Sequence, residues 1–149
     1  RVFKEELLFE KPPTPGDIVN LNIQCDTNGM IHKRTVVEKM GFWNDSLKLY
    51  EDFEFLLRFV EYYPDGFQFI PEVLVSYSRV YGKNSLCSKA KYQDLVDSLE
   101  KIYSLHGQKS IMKNQTWYPK LVNKFKEMAK DENEHGKSIL NHLLEKYSK

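Results

Sequence analysis

The chain has 149 residues, 41% of them hydrophobic and 29% charged, a size and balance that give one globular unit with a buried core and exclude a disordered chain. The formal net charge of +1 argues against a general nucleic-acid binder. No apolar run approaches the roughly 20 residues needed to cross a bilayer, and the mixed charged and apolar residues at the start do not form a signal peptide.

Charge is unevenly spread. Residues 1–80 carry 9 Lys/Arg against 13 Asp/Glu, a net of −4, and residues 81–149 carry 13 against 8, a net of +5. A basic second half suits an anionic lipid surface or a nucleotide diphosphate; solvated helix faces account for it as well. Cys25 and Cys87 match no metal-ligand spacing, and two free thiols are the expectation.

Residues 2–9 fit a strand or a helix equally. Lys11 to Asp17 holds three prolines and a glycine and reads as a loop. Ile18, Val19, Leu21 and Ile23 make a short apolar stretch. Residues 27–32 read as a strand entered through Asn28-Gly29. Lys33 to Met40 predicts a short helix, capped by Thr35 with Glu38 as its capping-box partner, and Gly41 sits where a helix end takes a left-handed residue.

The clearest helix starts near Glu51, because Phe53, Leu56, Leu57 and Val60 recur on one face. Glu54 and Arg58, four apart, predict an ion pair worth a few tenths of a kcal/mol. Pro64, Asp65 and Gly66 end the helix. Residues 67–77 read as extended, with a strand over Val73 to Tyr77 after the interruption at Pro71. The sequence GKNS is a turn. Three amphipathic helices follow: one through Tyr92, Leu95, Val96, Leu99, Ile102 and Tyr103, one through Leu121, Val122, Phe125, Met128 and Ala129, and one through Ile139, Leu140, Leu143 and Leu144.

Two adjacent carboxylates, Glu51 and Asp52, open the strongest helix. Negative charge there complements the helix dipole, which is reason enough for the pair. It also keeps a carboxylate ionised, as a general base must be. Successive helical residues diverge by about 100°, so only one of the pair faces a given site. Phe42, Trp43 and Tyr50 bracket this start. Such aromatics serve as a sugar platform or as core anchors. None of the four histidines forms a metal pair at helical spacing, and no zinc site, hydrolase triad or phosphate-binding glycine loop is visible.

In order, Thr27 to Arg34 (TNGMIHKR), Val36 to Phe42 (VVEKMGF), Asp45-Ser46-Leu47, Glu51 to Arg58 (EDFEFLLR) and Ile70 to Tyr77 (IPEVLVSY) resemble the second half of the family 2 glycosyltransferases of GT-A fold, over about residues 20–85. The resemblance implies an α/β fragment, a partial GT-A-like domain of short strands and helices over 1–85, followed by a helical extension over 86–149. It implies that Asp52 is the catalytic base of an inverting transfer, with Glu51 secondary. It implies acceptor binding by Thr27, Asn28, Trp43, Tyr50 and Arg58. It also implies a nucleotide-sugar donor, a glycan, polysaccharide or lipid acceptor, and a divalent Mn or Mg ion in the whole enzyme.

No Asp-x-Asp occurs in the chain, and residues 78–86 lack the histidine that some relatives place there. The donor-binding half is therefore expected upstream of Arg1, with no metal held by this chain alone. Cytoplasmic location, peripheral membrane contact and self-association through an exposed sheet edge complete these expectations. The competing reading is a non-catalytic interaction module that works through its helical tail; a third, a helical nucleic-acid binder, rests only on the +5 of the second half.

Overall fold

A computed structural model describes residues 11–20, 27–72, 89–109 and 112, together with 123, 126 and 127. The regular elements bounded within these residues are α1 (Pro15–Val19), a 3-10 turn (Thr27–Gly29), α2 (Arg34–Met40), α3 (Glu51–Tyr62) and α4 (Tyr92–His106). No strand occurs among the described residues. The expected α/β class is thereby overturned: the described part is all-helical. No helix among the described residues is long and apolar enough to cross a membrane.

The first departure lies in the proline-rich segment. Thr14 caps α1: its Oγ1 accepts from the Asp17 amide at 3.2 Å, and an Asp17 oxygen accepts from the Thr14 amide at 3.0 Å. Pro15 occupies the first helical position, where its missing N–H has no helical partner to lose. The spacing of threonine and aspartate thus starts a helix where proline content predicts a loop. The second departure is at residues 27–32. Asn28 and Gly29 make a tight turn closed by Met30 N to Thr27 O at 3.3 Å. A strand is defined by its ladder, and the residues that follow the turn form none.

The helix at 34–40 forms as expected, without the expected cap. Lys33 is the N-cap and makes no side-chain cap bond. Glu38 instead pairs with Arg34 at 2.9 Å, one turn back. Gly41 takes φ 90°, ψ 160°, a region open almost only to glycine. A Cβ there would also lie 3.3 Å from Arg58 Nη1.

α3 is the central element, buried at Phe53, Glu54, Phe55, Leu56, Leu57 and Val60. Residues four apart share a helical face, so its faces can be read in turn. Leu56 and Val60 pack on Ile18 of α1, with Met30 and Phe67 against them. Phe55 meets Val37 and Met40 of α2, with Trp43, Phe59 and Tyr63 alongside. Glu54 and Arg58 turn to α4 and to the end of α2. Each buried aliphatic or aromatic side chain contributes about 1.5–3 kcal/mol, which is why α3 holds the assembly.

Residues 67–72 form no strand; Phe67 packs on Phe59 at 4.7 Å and Ile70 stays exposed. α4 forms as its periodicity predicts and runs to His106. Asn123, Lys126 and Glu127 are helical, and Lys126 pairs with Glu100 of α4. Several expectations lie outside the described residues: the segment 2–9, Leu21 and Ile23, the strand Val73 to Tyr77, the turn GKNS, both cysteines, the apolar stripe of the second tail helix, and the whole third one.

Gly41→Ala should cost about 1–3 kcal/mol, the range for a residue forced into a sparsely populated backbone region, because it adds both strain and a contact with the Arg58 guanidinium. Thermal melting of the two proteins checks this; an unchanged Tm contradicts it.

Candidate functional site

The carboxylates at the head of α3 diverge as their spacing requires. Both Glu51 and Asp52 are half-buried. An Asp52 oxygen accepts from the Phe53 amide at 2.7 Å, one of the amide groups that have no partner within a helix's first turn. Asp52 lies about one turn before Phe55 and Leu56 on the same side of α3. The Phe55 ring on that side is stacked on Trp43, with centroids 4.2 Å apart and planes at 21°, and the His32 ring stands 5.5 Å from it. The indole candidate packs on Phe55, and the base candidate lies about one helical turn before that residue. One face of the Trp43 indole is taken by Phe55.

Tyr50 precedes the helix in a left-handed conformation, φ 61°, ψ 24°, which costs a non-glycine residue about 1–2 kcal/mol. Its carbonyl accepts the first helical bond, from the Glu54 amide at 3.0 Å. Thr27 and Asn28 sit exposed in the 3-10 turn. Phe42 does not anchor the core: it is 73% exposed, as its neighbour in the register of aromatics, Trp43, turns inward.

Arg58 lies elsewhere and is fully engaged. Its Nε donates to both Glu54 oxygens at 3.0 and 3.1 Å. Nη1 donates to the carbonyls of Met40 at 2.9 Å and Gly41 at 3.0 Å. Nη2 donates to the Phe42 carbonyl at 2.7 Å and to Glu54 at 2.9 Å. Every N–H of the guanidinium group is spent inside the fold, so its evident work is to clamp the end of α2 to α3.

Glu54 completes the cluster. Its side chain is 3% exposed, as is that of His106, and the two meet at 2.9 Å through His106 Nε2. Burial alone pushes the Glu54 carboxyl up; hydrogen bonds from His106 and Arg58, then the charges of Arg58 and His106, outweigh it and hold the group below the usual carboxylate range. With Glu54 ionised, Nε2 carries the proton and donates. The buried Nδ1 of His106 then faces no hydrogen-bond partner among the described residues. The sequence spacing predicts a weak surface pair between Glu54 and Arg58. The structure makes it the buried hub of three elements.

Around the approach to α3, Lys48 Nζ donates to Asp94 Oδ1 at 2.6 Å, the Leu49 amide to Ser98 Oγ at 3.3 Å, and Lys101 Nζ to the Ser46 carbonyl at 3.4 Å. The Lys48 bond and its charge hold the Asp94 carboxyl low, helped by the Lys91 amide, and Asp94 in return raises the Lys48 ammonium. Sequence reasoning missed Ser98 and His106. The signal was available: both fall in one row at four-residue spacing with Asp94 and Ile102, where a buried helix face would ordinarily be apolar.

No group of three or more His, Cys, Asp or Glu placed to hold a metal ion occurs among the described residues. The described residues at the head of α3 do not form a cation site. Compared with known proteins, the chain matches no family model, no curated protein and no solved structure.

Because Glu54 is depressed in the folded chain, its contribution is present above its unfolded value of about 4.3 and is lost as pH falls through the lower folded value. Stability should therefore decline below about pH 4.5, and Glu54→Gln should lose roughly 3–5 kcal/mol at neutral pH, the range for breaking a buried pair, while flattening that decline. Denaturant melts from pH 3 to 7 on both proteins check the slope.

Proposed function

We propose that this chain binds the acceptor and supplies the base in an inverting glycosyltransferase that uses a nucleotide-sugar donor. The observation that carries the proposal is the half-buried Asp52 in the first turn of α3, about one helical turn before Phe55, whose ring is stacked on Trp43. The residue order around it, which resembles the family 2 glycosyltransferases, supports the same role. The positive end of α3 favours the ionised form of the group. Trp43, Tyr50 and the turn at Thr27-Asn28 are the proposed acceptor contacts. Arg58 acts in this scheme through the fold, since its donors are engaged there.

In the reaction, Asp52 accepts the proton of the acceptor hydroxyl as that oxygen bonds to the anomeric carbon. The bond from that carbon to the nucleotide diphosphate breaks on the opposite face, so the configuration inverts. Charge on the departing diphosphate needs neutralising. A Mn or Mg ion and the donor site belong to a donor-binding half with an Asp-x-Asp motif, which these residues do not include. A glycan, polysaccharide or lipid acceptor at the cytoplasmic face of a membrane suits the basic second half of the chain.

A second reading has its own observation. Ile31 is 84% and Phe42 73% exposed, and large apolar side chains left at the surface favour a protein-interaction module.

Asp52→Asn keeps an oxygen for the Phe53 amide and removes the basicity. In the enzyme carrying both halves, turnover should fall by about 10²–10⁴-fold, with donor binding retained and Tm nearly unchanged. A variant that keeps more than about a tenth of wild-type turnover, far short of the loss of a base, sinks the assignment. If Glu51→Gln is the inactive protein instead, the site stands and the choice of carboxylate changes.

A further inference from the structure

α4 has no part in the chemistry proposed above, yet it is joined to the segment that leads into Asp52. One of its rows at four-residue spacing is Asp94, Ser98, Ile102 and His106. The polar members of that row find partners in chain order: Asp94 on Lys48, Ser98 on Leu49, His106 on Glu54. Lys101, beside the row, reaches the Ser46 carbonyl. The three contacts of that row advance along both segments together, so α4 lies alongside residues 48–54 in the same sense, while the long Lys101 side chain reaches back to Ser46. Ser98 and His106 are buried, at 3% and 2% exposure, where a polar side chain is retained only with a partner.

The segment so held contains the strained position. Tyr50 is the only non-glycine residue with positive φ among the described residues, and the Leu49 amide bound by Ser98 immediately precedes it. A residue stays in such a conformation only when its surroundings over-determine it.

We propose that α4 is a positioning strut for the Asp52 site and that Ser98 is its positioning residue. The Ser98 hydroxyl fixes the Leu49 peptide, Leu49 fixes the left-handed turn at Tyr50, and the turn sets where the first turn of α3 presents Asp52. Asp94 and His106 hold the two ends of the same segment. This inference rests on the reading of Asp52 as the base. A base displaced by about 1 Å from its reacting hydroxyl loses on the order of 10²-fold in rate, so a strut acting on this turn is read in kcat.

The test uses the enzyme with both halves, assayed alongside amide hydrogen exchange. Ser98→Ala should speed exchange at the Leu49 amide and lower kcat by about 10–10²-fold, with the KM for the donor unchanged. Ser98→Thr keeps the hydroxyl and should restore both. If Ser98→Ala does not fold, Asp94→Asn with Lys48→Met removes the neighbouring tie at a more exposed point and should shift exchange and kcat in the same direction. Unchanged exchange at Leu49, unchanged kcat, or no rescue by threonine overturns the strut. An active Asp52→Asn enzyme overturns the reading of the base instead. An inactive Asp52→Asn with a fully active Ser98→Ala leaves that reading in place and removes the strut alone.

Discussion

A carboxylate withdrawn from water has to be matched by donors, and the fold of this chain is arranged around one such group. Glu54 is 2% exposed on the most deeply buried helix. An unpaired charge there would carry a desolvation penalty of several kcal/mol. Arg58, one turn along, supplies charge and three hydrogen bonds; His106, from a helix far along the chain, supplies another. The same guanidinium accepts no slack elsewhere, since its remaining donors satisfy the carbonyls of Met40, Gly41 and Phe42. Those carbonyls lie at the end of α2, where a helix presents unpaired acceptors and partial negative charge. One ion-pair cluster thus answers three needs at once: a buried charge, a bare helix end, and the attachment of α4.

The rest of the packing follows from the position of that cluster on α3. With one face committed to polar contacts, the remaining faces are free to be apolar, and each receives a different neighbour. α1 and Phe67 cover Leu56 and Val60; α2 and Trp43 cover Phe55 and Phe59. Gly41 is the hinge of this arrangement. The backbone must turn sharply there to carry the chain from α2 toward Trp43, and it must let the guanidinium approach within contact distance. Lys109, just beyond α4, closes the far end by pairing with Glu61 at 2.6 Å.

Placing the polar cluster on the 54/58 face separates structure from the proposed chemistry. Asp52 lies on another side of the same helix, toward Phe55 and Leu56. The proposed base and the ion pair that anchors its helix therefore do not compete for the same donors. The middle of the anchored helix is held by the buried cluster, while its approach, residues 46–50, contains a left-handed tyrosine and is tied by exposed or half-exposed bonds. Rigid support behind the proposed catalytic turn and strain just ahead of it are what a site needs if a carboxylate is to be held at one distance from a hydroxyl.

The sequence by itself determined the elements whose information is local. α3 and α4 are legible in the 3.6-residue recurrence of Phe53, Leu56, Leu57 and Val60 and of Tyr92, Leu95, Val96, Leu99 and Ile102, and α2 in a short run over Lys33 to Met40 that ends at Gly41. The positive φ at Gly41 and the pairing of Glu54 with Arg58 are local too. The α1 cap was also local but was masked by composition: three prolines hide a threonine and an aspartate at capping distance. Only the tertiary structure decided the class, because the segment after Asn28-Gly29 carries strand-like residues but makes no ladder among the described residues, and a ladder depends on a partner that no local pattern names. It alone decided that the Glu54–Arg58 pair is a buried hub rather than a surface contact, that His106 joins it from 52 residues away, and that Ser98 meets the turn before Asp52. Burial and long-range pairing depend on which faces meet. A residue's near neighbours fix its helix, but the far ones fix whether its charge is in water or in the core.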